Sequence, residues 1–458
     1  MADWIEELRS KLGNCIHTDI ATLEAHAGDK WHAAHLPEAV LLATTTEQIS
    51  AAMKVATAHG IPVTPRGAGV GYVGGCVPVR GGLVISTAPM QRIIELNPAD
   101  GVAVVEAGVL TADLQEACAR VGWFYPPDPA SRKESSIGGN IATNAGGPRC
   151  LKYGVTRAYV LGLTVVLADG SILTCGGRTH KNKQGFDLVG LFCGSEGMLG
   201  IITQATLRII PAPPARAALH ASFPRFALAA QAVQNVLQGG HLPCALEITD
   251  AFTLAAARRH LGPGVLPEAA QGHIIIEIDG RADAVAAELS AIADILRQTG
   301  AVDIVPAVTE EEVEAIWQLR REFSYSLKAT GLTKLNEDIV IPRSQLVALV
   351  EFCESMQKET GIPVACFGHS GDGNIHTNIM VLKDAEGNDI RPPADALVNR
   401  LFEWVVNHGG SITGEHGIGL AKAPWFADAI GPVAMQLHRT LKQALDPTGI
   451  LNPGKMGL

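Results

Sequence analysis

Pro211-Ala-Pro-Pro214 places three prolines in four positions, and neither a helix nor a central strand can run through it. The chain must therefore close one core before this point and open another after it. A length of 458 residues agrees, because single cores stop growing well below that size and two or three domains are expected. The texture also changes there. Upstream, glycine-rich segments interrupt short elements; downstream, longer strands and helices alternate.

Upstream, Trp4–Leu12 and Glu47–His59 read as helices, the second stopped by Gly60. Ile61–Pro65, Leu83–Ser86 and Gly101–Glu106 read as strands, and Thr111–Arg120 as a helix. Val160–Leu167 and Ile172–Thr174 form a hairpin through Asp169-Gly170, and Gln204–Ile210 is a further strand. Downstream, strands are expected at Arg216–Phe223, Ala245–Thr249, His273–Ile278 and Lys334–Ile341, with Val364–Phe367 and Ile375–Met380 as short ones. Helices are expected at Ala227–Leu237, Phe252–His260, along the Val285, Leu289, Ile292, Leu296 stripe, and at Glu310–Leu327, Arg343–Glu359, Ala394–Asn407 and Pro432–Leu445.

Three stretches let backbone approach a large ligand closely: Arg66–Gly75, Ser135–Gly147 and Gly194–Thr203. The first contains Gly69-x-Gly71-x-x-Gly74 with Glu95 21 residues later, the outline of a dinucleotide fingerprint. That motif must open a helix, whereas Cys76-Val-Pro78-Val-Arg-Gly-Gly82 follows here, so a loop whose amides converge on a pyrophosphate is the better reading. Near the C-terminal end, Ala365–Asn378 (ACFGHSGDGNIHTN) and Gly414–Gly419 (GEHGIG) supply His369, His376, Glu415 and His416. Two imidazoles and a carboxylate form a ligand set for an open catalytic metal site, zinc being the usual occupant, and leave His416 as a base. Period two puts His376 and Asn378 on one face of their strand.

A net charge of −10 argues against nucleic acid as a partner, which needs a basic surface. Nine cysteines without a CxxC pair point to free thiols in a reducing cytoplasm. The N-terminus has no signal-peptide pattern, and no apolar run reaches the roughly 18 residues of a membrane span, so a protein that does not span the membrane is expected.

PRGAGVGYVGG, PPDPAS, SSIGGNIATNAGG, GSEGMLGIIT, CFGHSGDGNIHTNI, TGEHGIG and LDPTGILNPGK occur in this order, and together they resemble the FAD-linked D-2-hydroxy-acid dehydrogenases. These vanillyl-alcohol-oxidase type flavoproteins include glycolate oxidase catalytic subunits, D-lactate dehydrogenases and D-2-hydroxyglutarate dehydrogenases. The resemblance implies an α+β architecture: a two-subdomain FAD-binding domain (1–213), an antiparallel-sheet substrate or cap domain covered by helices (214–425), and a C-terminal segment (426–458) returning to the FAD domain.

Carried across residue by residue, the resemblance places FAD on Pro65, Arg66, Gly67, Ala68, Gly69, Val70, Gly71 and Tyr72, with Gly74 and Gly75. Pro127, Ser136, Gly138, Gly139, Asn140, Thr143 and Asn144 line the cofactor, as do Glu196, Gly200, Ile202 and Asn452. His369, His376 and Glu415 match the metal ligands. Arg320, Asn378 and His416 match the substrate-binding and base positions. Relatives with covalent flavin use a histidine or cysteine where this chain has Val70 and Tyr72, so non-covalent FAD is implied. Hydroxyglutarate enzymes carry a lysine two residues before the aspartate matching Asp338; here Asn336 stands there and Lys334 lies one pleat further back.

The implied activity is FAD-dependent, metal-assisted oxidation of a D-2-hydroxy acid (D-lactate, D-2-hydroxyglutarate or similar) to the 2-oxo acid. Electrons would pass to an electron-transfer flavoprotein, a quinone or a cytochrome rather than oxygen, and the resemblance allows a homodimer. The alternative is a non-catalytic FAD-binding subunit of a glycolate-oxidase-like complex, or a flavin-dependent synthase.

Overall fold

A computed structural model of the chain describes residues 3–458 and divides into two compact units. The first comprises Met1–Gly147, Gly154–Ala212 and Glu415–Leu458; the second comprises Pro148–Tyr153 and Pro213–Gly414. The proline-rich break thus falls at the junction of the units. Residues 415–425 belong with the returning C-terminal segment, and six residues, Pro148–Tyr153, with the second unit.

The first unit holds two larger sheets. One has the order Ile16–His17, Ala39–Leu42, Leu83–Ser86, Val63–Arg66, with parallel pairing among the last three strands. Its apolar side packs on the helices Asp3–Leu12 and Thr46–His59 through Leu8, Leu41, Ile49, Met53, Leu83 and Ile85. Thr45 and Gln48 cap the second helix reciprocally, and Gly60 ends it in the left-handed conformation. The other sheet is antiparallel, ordered Ile93–Asn97, Val102–Glu106, Ile201–Arg208, Val160–Val166, Ile172–Gly176. Two sheets in one unit match the two-subdomain expectation. The expected Asp169-Gly170 hairpin forms, with Gly170 at φ +82°.

The second unit is one seven-stranded sheet, antiparallel at every pair. Its order is Asp303–Ala307, Ala215–Phe223, Gly272–Gly280, Ala245–Asp250, Val364–His369, Asn374–Val381, Thr333–Val340. Side chains alternate between the faces. Ile274 and Ile276 lie on the face covered by the helices Phe226–Gln238 and Ala282–Gln298. The opposite face carries His273, Glu277, Glu247, His369, His376 and Asn378, and the helices Ala251–Leu261 and Glu310–Ala329 cover part of it through Leu254, Ala257, Val313, Ile316 and Phe323. Burying a charged face works only if each charge finds a partner, and that requirement shapes the site.

The turn joining Val364–His369 to Asn374–Val381 is tight. Gly373 sits at φ +89°, and a Cβ there would come 2.1 Å from the Ile341 carbonyl oxygen. Left-handed strain and a backbone clash act together. Gly373→Ala should therefore lower unfolding stability by about 2 kcal/mol or more, read as a shifted urea midpoint. An unchanged midpoint would show that the turn relaxes freely.

Candidate active site

The centre of the second unit's polar face is Glu247, whose side chain is 1 % exposed. Its Oε1 lies 2.5 Å from His369 Nδ1 and its Oε2 accepts from Arg320 Nε at 2.6 Å. Burial pushes this carboxyl up, but the adjacent His369 imidazole and Arg320 guanidinium outweigh it and hold the group down at about 2. The Arg320 guanidinium also lies 4.8 Å from the centre of the Phe367 ring.

Strand register brings the histidines together. His369 ends its strand opposite Asn374; His376 faces Phe367 on one side and Asp338 on the other. The two imidazoles stand edge to face with centroids 5.5 Å apart. Asp338, fully buried, accepts from Asn374 Nδ2 at 2.7 Å and from the Gly414 N–H at 2.9 Å. A Cβ on Gly414 would come 2.2 Å from Asn374 Nδ2, so the chain leading to Glu415 requires glycine here.

Asn378 is buried. Its Nδ2 points at the carbonyl oxygens of Ala365 (3.4 Å) and His376 (3.1 Å), and its Oδ1 has no donor. Asn336 stands directly opposite, and its Oδ1 has no donor either. Lys334, on the same face as Asn336 and Asp338, is no surface lysine. Its Nζ donates to Ser324 Oγ at 2.9 Å, and burial, then the charges of Lys328 and Arg320, push it down to about 8.

In the first unit, Val63–Arg66 carries Pro65 into the glycine loop, and no helix follows the loop before Thr111, in accord with rejecting the dinucleotide fingerprint. Gly69 takes φ +70°, with the Arg66 guanidinium where its Cβ would stand. Arg66 itself reaches back to the carbonyls of Gly28 and Ala25. A Cβ on Gly67 would fall 2.5 Å from Ser136 Oγ, which accepts from Ala68 and Gly139 N–H and caps the helix Ile137–Thr143. Among the described residues, the N–H groups of Gly69, Val70 and Gly71 meet no protein acceptor. This crowded glycine-rich cradle with open amides fits a pyrophosphate.

Other residues matched to the cofactor have structural work. Gly138 packs on Ala107, Gly200 on Val165 and Phe192, and Ile202 is buried in its strand. Asn140 Nδ2 donates to Thr111 Oγ1 at 2.7 Å, Thr143 Oγ1 donates to the Gly139 carbonyl, and Asn144 ends the helix at φ +52°. The Pro127 carbonyl accepts from Gln115. Glu196, buried and raised by that burial, accepts from the Ile418 and Gly419 N–H groups at 2.6 and 2.8 Å. Asn452 Nδ2 donates to the carbonyls of Gly75 and Glu196, joining the C-terminal segment to the loop. Within this unit Glu415 lies against Gly146, where a Cβ would come 2.9 Å from Oε1, and the His416 ring stands 5.3 Å from the exposed Tyr72 ring.

Glu247 was not among the residues the sequence singled out. In Ala-Leu-Glu-Ile-Thr-Asp it is one of two acidic residues in a strand, and only the period-two pattern around it hints that it faces inward.

Lys334 gives a pH signature. Between about 8 and the ordinary 10.5, the unfolded chain keeps a proton that the native state releases, so stability rises with pH across this window. Lys334→Met should remove up to about 1.4 kcal/mol per pH unit of that slope, measured by urea unfolding across the window. Parallel pH profiles for the two proteins would show a solvated amine.

Residues 37–176 match the FAD binding domain, and residues 212–456 match the C-terminal domain of FAD linked oxidases. The chain is 38% identical over 421 residues to the glycolate oxidase subunit GlcD of Bacillus subtilis (strain 168), covering 92% of this chain and 89% of that one. It is 34% identical to a D-lactate dehydrogenase of Anaerostipes hadrus, covering 92% and 89%. A D-lactate dehydrogenase of Archaeoglobus fulgidus is also 34% identical, covering 91% and 90%. Among solved structures, the 4-ethylphenol oxidase of Gulosibacter chungangensis superposes with a TM-score of 0.80 at 20% identity, covering 99% of this chain and 96% of that one. p-Cresol methylhydroxylase does so at 0.77 and 20%, with the same coverage. The fold is the vanillyl-alcohol-oxidase type, and the chain belongs to the FAD-linked oxidases.

Proposed function

We propose that the protein oxidises a D-2-hydroxy acid to the 2-oxo acid, using non-covalently bound FAD and a divalent metal, zinc being the favoured one. The observation that carries this reading is the buried sheet face on which Arg320, His369, His376 and Asn378 converge. The names of the relatives put D-lactate and glycolate first among the substrates to test.

FAD supplies the ring that accepts a hydride, and the metal supplies a Lewis acid for the hydroxyl and carboxylate oxygens. Arg320 has its Nε committed to Glu247, which leaves the two Nη groups for a substrate carboxylate. The open Oδ1 of Asn378 is a ready acceptor for the substrate hydroxyl. His416 takes the hydroxyl proton as the α-carbon hydrogen leaves. His369, His376 and Glu415 are the proposed metal ligands. In support, the Gly414 N–H is bonded to Asp338, the cross-strand partner of His376, and Glu415 is the next residue along the chain.

Non-covalent flavin agrees with the inert thiol nearest the loop, since burial pushes Cys76 up to about 11. Heat-denatured protein should release its flavin, and yellow colour staying with the precipitate would count against that reading. Reoxidation is assigned to an electron-transfer flavoprotein, quinone or cytochrome. No described helix is long and apolar enough to cross a membrane.

The test is anaerobic addition of D-lactate, glycolate, D-2-hydroxyglutarate and D-malate to the purified protein. The flavin absorbance should bleach with D- but not L-acids, and EDTA should abolish bleaching while FAD stays bound. No bleaching with any acid would sink the reading in favour of a non-redox flavoprotein. Unaffected turnover in EDTA would remove the metal alone.

His416→Ala should keep metal and FAD yet slow flavin reduction by roughly two to four orders of magnitude. A loss below about fivefold would dismiss it as the base.

A further inference from the structure

We infer that Glu247 is a positioning residue that ties the substrate-carboxylate clamp to a metal-ligand imidazole, one buried carboxylate setting Arg320 and His369 at once. This rests on the proposed reading of Arg320 as the clamp and His369 as a ligand. Glu247 itself touches neither substrate nor metal.

The chemistry follows from donor and acceptor counting. An ionised carboxylate only accepts hydrogen bonds, so the His369 Nδ1 facing it at 2.5 Å carries the proton. The neutral imidazole then presents its lone pair at Nε2, the atom a metal takes, and the ring cannot turn without losing Glu247. At the other oxygen, Arg320 Nε is bound at 2.6 Å, which restrains the guanidinium and spends none of its Nη hydrogens on Glu247. The ring of Phe367 supports that plane at 4.8 Å.

The fold leaves Glu247 no alternative. Pairing of Ile248 with Gly368 brings Glu247 beside His369 on the buried face. The helix Glu310–Ala329 is anchored one turn before Arg320 by Trp317, whose Nε1 donates to Glu277. Both Glu247 oxygens are therefore committed, to groups that are both donors.

A glutamine cannot reproduce this. Its amide offers an acceptor on one side and a donor on the other, while both partners donate. If its nitrogen faces His369, the imidazole proton must move to Nε2 and the metal lone pair is lost. If it faces Arg320, two N–H groups oppose and the guanidinium is released. A side chain that merely filled space would tolerate the near-isosteric change.

The experiment compares wild type with Glu247→Gln as FAD-loaded protein. Zinc affinity is measured by competition with a chromogenic chelator, and KM is measured with whichever D-2-hydroxy acid bleaches the flavin. Zinc should bind about 10–100-fold more weakly, the usual effect of losing a partner behind a metal-bound histidine, and KM should rise, with bound FAD retained. Zinc affinity and KM both within twofold of wild type would overturn the proposal. So would a lowered thermal midpoint in a variant whose folded fraction binds zinc and substrate normally. Should the Gln variant not fold, Glu247→Asp keeps the charge but is too short to reach both partners. It should also weaken zinc by at least about tenfold, and wild-type affinity in it would overturn the proposal. Wild-type protein that binds no zinc would instead defeat the metal reading, and that result appears before any substitution is made.

Discussion

A charge that cannot reach water must be answered inside the protein, and the second unit is built around that constraint. Alternation along its strands puts Glu247, Glu277, Asp279, His273, His369 and Asp338 on one face, every one of them buried. The answers come from elsewhere in the chain. The helix Glu310–Ala329 turns Trp317, Arg320 and Ser324 toward the sheet at helical spacing, where they meet Glu277, Glu247 and Lys334. Arg149, Lys152 and Tyr153, from the short Pro148–Tyr153 segment, meet Glu277 and Asp279. Removing one partner of such a pair costs about 3–5 kcal/mol, so this face tolerates little drift.

Much of this fold was legible because the elements have strong local signals. Thr111–Arg120 and Pro432–Leu445 form as the helical period dictates, and Leu83–Ser86 as an apolar strand. The hairpin bearing His369 and His376 was visible from its glycines and its two apolar runs. Several weaker elements were not, among them the short helix Ile20–Ala25, the strand Ile93–Asn97 and the two that follow. The helix Ile137–Thr143 contains paired glycines that argue against helix, and it forms because Ser136 caps it and small residues let it sit against Ala107. The edge strand Asp303–Ala307 is short, half exposed and contains a proline, so only its pairing with Ala215–Phe223 identifies it. Glu247 was illegible for a different reason. Its importance lies in pairings across 73 and 122 residues of sequence, to Arg320 and His369, and no local pattern encodes those.

On the flavin side, the motifs reveal two kinds of work. Some residues leave space and open amides, as Gly67 and Gly69 do. Others hold the loop's neighbours in place, so a motif position is not by itself a cofactor contact. Glu196 spends its carboxylate on the amides of Ile418 and Gly419, and a Cβ on Gly417 would come 2.5 Å from its Oε1. Asn452 then bonds the Glu196 and Gly75 carbonyls. The GEHGIG turn, the glycine loop and the chain end are thereby one hydrogen-bonded assembly, and the backbone carrying Glu415 and His416 is set by it.

Under the proposed function, the choice among 2-hydroxy acids turns on the strand Thr333–Val340. Asn336, opposite Asn378, offers an acceptor oxygen where hydroxyglutarate enzymes place a cation, and two unpaired amide oxygens would repel a second carboxylate. The strand's own cation on that face is Lys334, one pleat or roughly 6.7 Å further along. Its amine donates to Ser324 and burial pushes it down to about 8, so it stays charged at neutrality and weakens as a counterion only above about 8. On that reading a short acid such as D-lactate or glycolate would meet Arg320 and Asn378 without extending to Lys334. On the same reading a longer dicarboxylic acid would have to pass the two asparagines before Lys334 offset the cost, so the strand would favour the short acids.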